Sequence, residues 1–328
     1  MEKMKESPLL KIEELKTYFP VRKSFFSLNR EKKFVHAVDN VSLIVKKGEI
    51  FGLAGESGSG KTTIGKTILR LVKPSGGRIL YQDRDILSLK ASNIKKLRRN
   101  MQMIFQDPYE SLNPRHSVFD IVSEPLRVNN LPGGSEKVFN TLEAVDLNPP
   151  QDFTHKFPHE LSGGQRQRVA IAAALILEPE FIIADEPVSM LDVSIKAEIL
   201  NLILKLRREL DLTFLLITHD LSVIRHMTDR VAIMYLGKIV EKGNTIDVID
   251  RPLHQYTKAM ISIIPSIMSE IKRDRIILKG EIPNSIDLPS GCRFHPRCPR
   301  AKVTCKQIEP ELIEVKSDHC VACNMYKR

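Results

Sequence analysis

The feature that most constrains this chain is the glycine-rich segment 55–63, Gly-Glu-Ser-Gly-Ser-Gly-Lys-Thr-Thr. It matches the phosphate-binding pattern G-x-x-x-x-G-K-[ST], follows the apolar run 50–54 and precedes a segment of helical periodicity. In this strand–loop–helix setting, glycines let backbone N–H groups approach phosphate oxygens, and the helix N-terminus adds a favourable dipole. A chance glycine-rich turn would explain the glycines but not this setting. The segment therefore predicts an α/β fold that binds a nucleoside triphosphate.

The side chains of the loop have separate predicted roles. Lys61 neutralises phosphate charge, and the hydroxyl of Thr62 is a ligand for Mg²⁺. The predicted phosphate-binding residues are Gly55, Ser57, Gly58, Ser59, Gly60, Lys61, Thr62 and Thr63.

An acidic pair, Asp185-Glu186, directly follows the apolar run 181–184. Triphosphate hydrolysis needs a carboxylate for Mg²⁺ and a group that handles the attacking water. We expect Asp185 to bind Mg²⁺ directly or through water, and Glu186 to act as the general base. A helix N-cap with an acidic first turn is the alternative, but it explains only one carboxylate and not the buried strand before the pair.

The apolar pattern changes along the chain and predicts several parts. Alternation over residues 9–45 predicts antiparallel strands, and residues 20–33 interrupt them. Between about 107 and 177 the strand signal gives way to helical spacing, which predicts an inserted helical subdomain. Short apolar runs at 181–184, 214–217 and 231–234 are typical of strands buried on both faces of a sheet.

Charge and apolar content indicate which partners and which cellular location to expect. The formal net charge is +10, but the lysines and arginines are scattered, so charge alone does not favour a nucleic-acid partner. The longest apolar stretch, residues 169–177, is too short to span a bilayer, and the polar start of the chain is unlike a signal peptide. We expect a cytoplasmic protein that lies against a membrane.

A set of motifs in fixed order resembles the nucleotide-binding subunit of an ABC transporter, over roughly residues 8–255. Its members are Lys61, Gln106, Leu161-Ser162-Gly163-Gly164-Gln165, Asp185-Glu186, Ser189-Met190-Leu191-Asp192 and His219. The resemblance implies a P-loop fold of ABC type: a mixed-sheet core, an antiparallel β-subdomain, an inserted helical subdomain and a small cysteine-rich C-terminal appendage. We place the nucleotide-binding domain at 8–255 and the C-terminal tail at 256–328.

The resemblance also implies how ATP is bound and hydrolysed. Two subunits meet head to tail, and the phosphate loop of one faces the signature motif of the other. Gln106 then couples Mg²⁺ and nucleotide to the helical subdomain, His219 holds the γ-phosphate, and Asp192 crosses the dimer seam. The signature residues expected to contact the partner's ATP are Ser162, Gly163, Gly164 and Gln165. The adenine is expected to stack on Phe19, with Tyr18 as the alternative.

Other segments are similar to the oligopeptide/dipeptide importer ATPases. The run 106–115, followed by Glu124-Pro125-Leu126, carries this similarity, and 185–194 resembles the F-type more than the D-type subunit. In the motif at 252–257, Gln255 stands where proline is usual. The resemblance implies a D-type paralogue or a second copy as dimer partner, two membrane permeases, an extracytoplasmic solute-binding protein acting indirectly, and no nucleic acid. Import of sugars or nickel, and a soluble ATPase acting on nucleic acid, are the alternatives.

All five cysteines lie between Cys292 and Cys323. Importers of this subfamily that carry a [4Fe-4S] cluster have similar tails, which implies Cys292, Cys298, Cys305 and Cys323 as ligands and Cys320 as a spare thiol. Four cysteines also suit tetrahedral Zn²⁺, and the two-residue spacing of Cys320 and Cys323 is common at zinc sites. Disulfides are disfavoured in a reducing cytosol. We expect an iron–sulfur cluster, with zinc as the alternative.

Overall fold

The computed structural model describes residues 8–21, 32–264 and 274–327. It divides into two compact units, residues 1–88 with 217–328 and residues 89–216, which we call unit 1 and unit 2. Most of the predicted interruption at 20–33 lies outside the described residues. The domain boundaries proposed from the sequence remain a prediction.

The strands of the described residues are β1 (Pro8–Pro20), β2 (Phe34–Lys46), β3 (Ile50–Ala54), β4 (Gly76–Tyr81), β5 (Arg84–Asp85), β6 (Met101–Ile104), β7 (Phe181–Asp185), β8 (Thr213–Thr218), β9 (Arg230–Tyr235), β10 (Lys238–Asn244), β11 (Ile313–Lys316) and β12 (His319–Val321). The helices are α1 (Lys61–Ile68), α2 (Ala91–Asn100), α3 (Pro108–Ser111), α4 (Val118–Val128), α5 (Ser135–Ala144), α6 (Gln151–Thr154), α7 (Gly163–Leu175), α8 (Val193–Leu210), α9 (Leu221–Met227), α10 (Thr245–Asp250), α11 (Gln255–Ser262) and α12 (Val303–Gln307), with a 3₁₀ turn at Pro158–Glu160.

Unit 1 contains two sheet segments. One is antiparallel, in the order β2-β1-β4-β5, and its alternating burial agrees with the alternation of the sequence. The other has the order β11-β12-β10-β9-β3. Within it, β3 runs parallel to β9, whereas β9, β10, β12 and β11 pair antiparallel in turn. The mixed sheet expected from the sequence is confirmed.

Unit 2 combines the strand order β8-β7-β6 with helices α2 to α8. β6 and β7 are parallel, and every residue of β7 is buried, as its unbroken apolar run predicts. α4 and α5 pack against α7. Each of these two helices has an apolar stripe of buried side chains. The buried residues are Val118, Ile121 and Val122 on α4, and Val138 and Leu142 on α5.

The C-terminal residues do not form the separate cysteine-rich appendage that we expected. β12 pairs with β10 through Glu241–Val321 and Lys242–Cys320, so the tail adds two strands to a sheet of unit 1. Buried side chains of the tail, such as Phe294, join the apolar cluster around Tyr235 and Tyr256. The appendage prediction failed because the apolar residues of the tail are few and widely spaced, which hides the contribution of each to this core.

Within the described ranges, no helix has both the length and the apolar content needed to cross a membrane.

Candidate nucleotide-binding site

The phosphate loop, residues 55–60 of unit 1, connects the buried strand β3 to α1. Gly55 and Gly60 have positive φ angles of 154° and 105°. A Cβ atom at Gly60 would lie 1.9 Å from the carbonyl oxygen of Ala37, and one at Gly55 would lie 2.2 Å from that of Met234. Glycine is therefore required here both for the backbone angle and for the close approach of neighbouring strands. The loop has the shape that its sequence pattern predicts.

Lys61 is held against this loop. Its Nζ donates hydrogen bonds to the carbonyl oxygens of Gly55 (2.8 Å) and Glu56 (2.9 Å), and the side chain is buried. Gly60 is the N-cap of α1 and has no side chain with which to cap it. An ammonium group and an open helix N-terminus at one loop suit an anion.

The two aromatic candidates for adenine stacking differ in their surroundings. The hydroxyl of Tyr18 donates a 2.5 Å hydrogen bond to Asp39, and its ring contacts His36 with 4.4 Å between ring centroids. Burial and Asp39 raise the pKa of Tyr18 above its ordinary value. Phe19 is 38% exposed. Phe19 is thus the ring that presents an open surface, while Tyr18 is engaged within unit 1.

In unit 2, the acidic pair lies where β7 ends. Asp185 is buried, and Glu186 adopts a left-handed φ of 46°. The amide of Gln106 donates a 3.3 Å hydrogen bond to a carboxylate oxygen of Glu186, and the backbone N–H of Ser189 donates to the carbonyl oxygen of Glu186. A left-handed backbone is strained for glutamate, and such strain occurs preferentially at functional sites.

The signature segment begins α7. Ser162 and Gln165 form a capping box: Ser162 Oγ accepts from the N–H of Gln165 at 3.2 Å, and Gln165 Oε1 accepts from the N–H of Ser162 at 2.9 Å. In this arrangement the serine hydroxyl proton and the glutamine Nε2 group can still donate to another acceptor. A Cβ atom at Gly164 would lie 2.7 Å from Ile195 Cγ2, so glycine lets α8 approach.

Two further predicted residues are solvent-accessible. Asp192 is exposed, and although it is the N-cap residue of α8, its side chain makes no capping hydrogen bond. His219 is exposed just after β8, and the adjacent Asp220 caps α9.

The predicted residues are distributed over both units. Unit 1 holds the phosphate loop, Phe19 and His219; unit 2 holds Gln106, the signature segment, Asp185, Glu186 and Asp192. Within unit 2 the structure brings Gln106 and Glu186 into contact. The roles assigned to all these residues stay predictions at this point.

Sequence reasoning missed two partners of the phosphate loop. Tyr256 Oη accepts a 2.8 Å hydrogen bond from the N–H of Glu56, and Arg297 forms an ion pair with the Glu56 carboxylate. Tyr256 belongs to the motif at 252–257, which was recognised as a family feature but not as a contact to the loop. No sequence signal marked Arg297, because it lies 241 residues from Glu56.

Four of the cysteines are close neighbours in unit 1. Burial, together with the nearby thiols of Cys305, Cys323 and Cys298, raises the pKa of Cys292 to about 11. Burial likewise raises the pKa of Cys298 and Cys323. Cys320 instead interacts with Lys242, Glu314 and Asp318.

The expectation of a metal centre is nevertheless not supported. In the part of the chain that the structure describes, no group of three or more His, Cys, Asp or Glu side chains is arranged to hold a metal ion. Proximity of the four cysteines alone therefore does not amount to an iron–sulfur or zinc site.

Known protein families and individual relatives are similar to this chain. Residues 38–189 match the family model described as ABC transporter, and residues 240–305 match that described as oligopeptide/dipeptide transporter, C-terminal region. The chain is 48% identical to the oligopeptide transport ATP-binding protein AppF of Bacillus subtilis, over 98% of each chain. It is 41% identical to the dipeptide transport ATP-binding protein DppF of Haemophilus influenzae, over 97% of this chain and 96% of the relative.

Solved structures of ATP-binding cassettes are also similar to this chain. The ATP-binding cassette MJ0796, in a dimeric structure bound to ADP and Pi, aligns with a TM-score of 0.62 and 29% identity over 72% of this chain and 98% of its own. The subunit cbiO1 of Clostridium perfringens, part of the ABC transporter complex cbiONQ, aligns with a TM-score of 0.63 and 29% identity over 80% of this chain and 98% of its own.

Fold and phosphate loop together define an ATP-binding cassette. More specifically, the chain belongs to the ATP-binding proteins of the ABC transporter family, in the branch with the oligopeptide/dipeptide transporter C-terminal region. The family and the F-type resemblance predicted from the sequence are confirmed.

Proposed function

We propose that this protein is the ATP-hydrolysing subunit that energises the import of oligopeptides or dipeptides across a membrane. The observation that carries the proposal is an intact phosphate loop in a chain that aligns over 98% of its length with an oligopeptide transport ATP-binding protein. The named relatives do not favour the sugar, nickel and nucleic-acid alternatives.

The phosphate loop would hold the triphosphate. The backbone of residues 55–60 and the ammonium group of Lys61 contact its oxygens, and the exposed ring of Phe19 stacks on adenine. Three observations support this assignment: the loop glycines have positive φ angles, Lys61 is buried, and the ring of Phe19 is exposed. Contacts from backbone N–H groups and one lysine are what anion recognition at a helix N-terminus requires.

Mg²⁺ would be held by Thr62, Asp185 and Gln106. The donor chemistry fits this hard cation, since all three offer oxygen ligands and Asp185 is a buried carboxylate directly after a strand. When bound, Mg²⁺ neutralises phosphate charge as it develops.

Glu186 is assigned as the general base for the attacking water, with Gln106 as its neighbour and His219 as the residue that holds the γ-phosphate. The contact between Gln106 and Glu186 supports a paired role, because an amide that donates to a carboxylate oxygen fixes the orientation of that carboxylate. His219 supports this assignment by its exposed position directly after β8.

A second ATP-binding subunit would complete the site. Ser162, Gly163, Gly164 and Gln165 would contact ATP bound to the partner, and the exposed Asp192 would lie at the seam between subunits. The capping box supports this role, because it fixes α7 while leaving two side-chain donors for a phosphate. The partner is a D-type paralogue or a second copy. The dimer would work with two permeases and, indirectly, a solute-binding protein at the cytoplasmic face of the membrane.

We further propose that Cys292, Cys298, Cys305 and Cys323 take up a [4Fe-4S] cluster, with Zn²⁺ as the alternative. The closeness of the four thiols supports this. Iron and acid-labile sulfide in anaerobically purified protein would establish the cluster, stoichiometric zinc would establish the alternative, and the absence of both would refute the proposal.

The decisive test of hydrolysis is Glu186→Gln. We expect ATP turnover to fall at least about a hundredfold, the usual contribution of a general base, while the affinity for ATP is retained. Turnover is measured as phosphate release in the assembled transporter and affinity with a fluorescent ATP analogue. Glu198→Gln, at an exposed glutamate of α8, is the matched control. Wild-type turnover in Glu186→Gln would remove Glu186 from its assigned role.

A further inference from the structure

The segment 292–298, Cys-Arg-Phe-His-Pro-Arg-Cys, folds into a compact turn beside the phosphate loop within unit 1; we call it the 292–298 turn. Backbone N–H groups of His295, Arg297 and Cys298 donate to carbonyl oxygens three residues earlier. Phe294, at 1% exposure, anchors the turn against the rings of Tyr235 and Tyr256, with centroid distances of 5.3 and 5.5 Å. The turn is therefore rigidly attached to the core that also supports the loop.

Arg297 projects from this turn onto the second residue of the phosphate loop. Its two terminal nitrogens donate to the two carboxylate oxygens of Glu56 at 2.8 and 3.2 Å. A bidentate pair of this kind fixes the position of the carboxylate and is stronger than a single hydrogen bond. The side chain of Arg297 is 9% exposed and that of Glu56 is 28% exposed, so solvent screens the pair only in part.

Glu56 is also held through its backbone. Its N–H donates to Tyr256 Oη, and its carbonyl oxygen accepts from Lys61 Nζ. Glu56, which links the 292–298 turn to the loop, is thus hydrogen-bonded to Lys61, the lysine expected to contact the phosphates.

Arg293 supports the other end of the loop. It donates to the carbonyl oxygen of Leu236 and to the carboxylate of Asp39. Gly237, which follows Leu236 in the chain, donates its N–H to the carbonyl oxygen of Ser59 at 2.9 Å. The two arginines of the turn therefore act on both ends of the loop, at Glu56 directly and at Ser59 through Gly237.

The charge at Glu56 needs a partner for a physical reason. A carboxylate inside an anion-binding loop repels the phosphates that the loop binds. Arg297 is the cation that faces it.

We propose that Arg297 is a charge-compensating positioning residue of the nucleotide site. It neutralises Glu56 and holds the start of the phosphate loop in the shape that receives a triphosphate. The C-terminal region thereby takes part in nucleotide binding by its own subunit. This inference rests on the proposed ATP binding at residues 55–63.

The test compares the dissociation constant of a fluorescent ATP analogue among variants of the full chain. Arg297→Met removes the charge but keeps most of the stem, and we expect binding to weaken about tenfold, since roughly 1.4 kcal/mol corresponds to a factor of ten. Arg297→Lys keeps the charge without the bidentate geometry and should weaken binding less. Arg275→Met, at an exposed arginine of the same C-terminal region, is the matched control and should bind like the wild type.

The diagnostic variant is the double change Glu56→Gln with Arg297→Met. If Arg297 compensates charge, removing the carboxylate should restore affinity to within about threefold of Glu56→Gln alone, because the repulsion is gone. A merely structural role for Arg297 predicts no such recovery. If Arg297→Met does not fold, Arg297→Lys with and without Glu56→Gln provides the same comparison.

Two results overturn the inference: unchanged affinity in Arg297→Met, or a double variant that binds as weakly as Arg297→Met. A wild-type chain that binds no nucleotide contradicts the proposed function itself, and the inference then falls with it. The wild-type measurement therefore separates the two failures.

Discussion

At the residue scale, His254 shows how strongly the core around the C-terminal motif constrains a side chain. It is 2% exposed, its ring packs on Phe294, and its Nδ1 accepts a 3.1 Å hydrogen bond from the N–H of Tyr256. The nearby Glu241 is fully buried and accepts from the N–H groups of Leu253 and His254, and it pairs with His319. Burial lowers the pKa of His254 to about 4, although Glu241 opposes the shift.

This lowered pKa predicts a loss of stability in acid. Between pH 6.5 and pH 4 an unfolded chain protonates this histidine and the folded chain does not, so the free energy of unfolding falls as the pH falls. The loss reaches about 3 kcal/mol below pH 4. His254→Asn keeps an acceptor for the Tyr256 N–H but does not titrate. Urea unfolding from pH 7.5 to 4.5 should therefore give a shallower decline of stability in the variant, and equal slopes would contradict the assigned pKa.

Which site residues could be predicted from the sequence depended on their spacing along the chain. The phosphate loop and the Asp185-Glu186 pair were found because each motif is contiguous and follows an apolar strand. Contacts made across long separations have no such signature. The pairing of Glu56 with Arg297 is the main example, since each residue alone is an ordinary charged position.

At the element scale, the start of α7 is set by its capping box and by the absence of a side chain at Gly164. The Cβ atom of an alanine at this position would lie 2.7 Å from Ile195 Cγ2, which is shorter than any carbon contact allows. In Gly164→Ala, either the Ile195 side chain or the two helices must therefore shift. Overpacking of this kind costs about 1–3 kcal/mol.

A compensating change separates packing from phosphate contact. In Gly164→Ala with Ile195→Ala, the clash is relieved, and we expect thermal stability to recover relative to Gly164→Ala alone. ATP turnover of the assembled transporter should remain low in both variants, because the backbone of this position is proposed to contact the ATP bound to the partner. Recovery of turnover together with stability would show that Gly164 serves packing alone.

Elements were predicted best where local periodicity determined them. The buried runs became β7, β8 and β9, and helical spacing became α4 and α5. The position of β12 beside β10 was not predicted, because a three-residue strand carries little pattern of its own and is fixed by its pairing with Glu241 and Lys242. Strand pairing between residues far apart in the sequence depends on the packing of the core and not on the sequence of the short strand itself.

At the scale of the whole molecule, one chain carries both a phosphate loop and a signature segment. The capping box of Ser162 and Gln165 leaves donors for a second acceptor, and Asp192 is exposed without a capping role. Both features are consistent with a surface completed by another subunit. We accordingly expect the isolated chain to hydrolyse ATP slowly, since a site shared between two subunits forms only on association.

Ser162→Asp supplies a sharp control for this shared site. Aspartate caps a helix N-terminus about as well as serine, so α7 should remain intact. Its negative charge, however, opposes the γ-phosphate of ATP bound to the partner. The variant should therefore bind nucleotide at its own phosphate loop but fail to associate.

Sedimentation velocity of Glu186→Gln at saturating ATP and Mg²⁺, alone and mixed with a second ATP-binding subunit, measures whether ATP joins two subunits. An ATP site shared between subunits predicts a particle with the mass of two subunits in ATP, and single subunits in ADP or when the Ser162→Asp change is added. Single subunits in ATP under both conditions, or equal association of the Ser162→Asp protein, would contradict it.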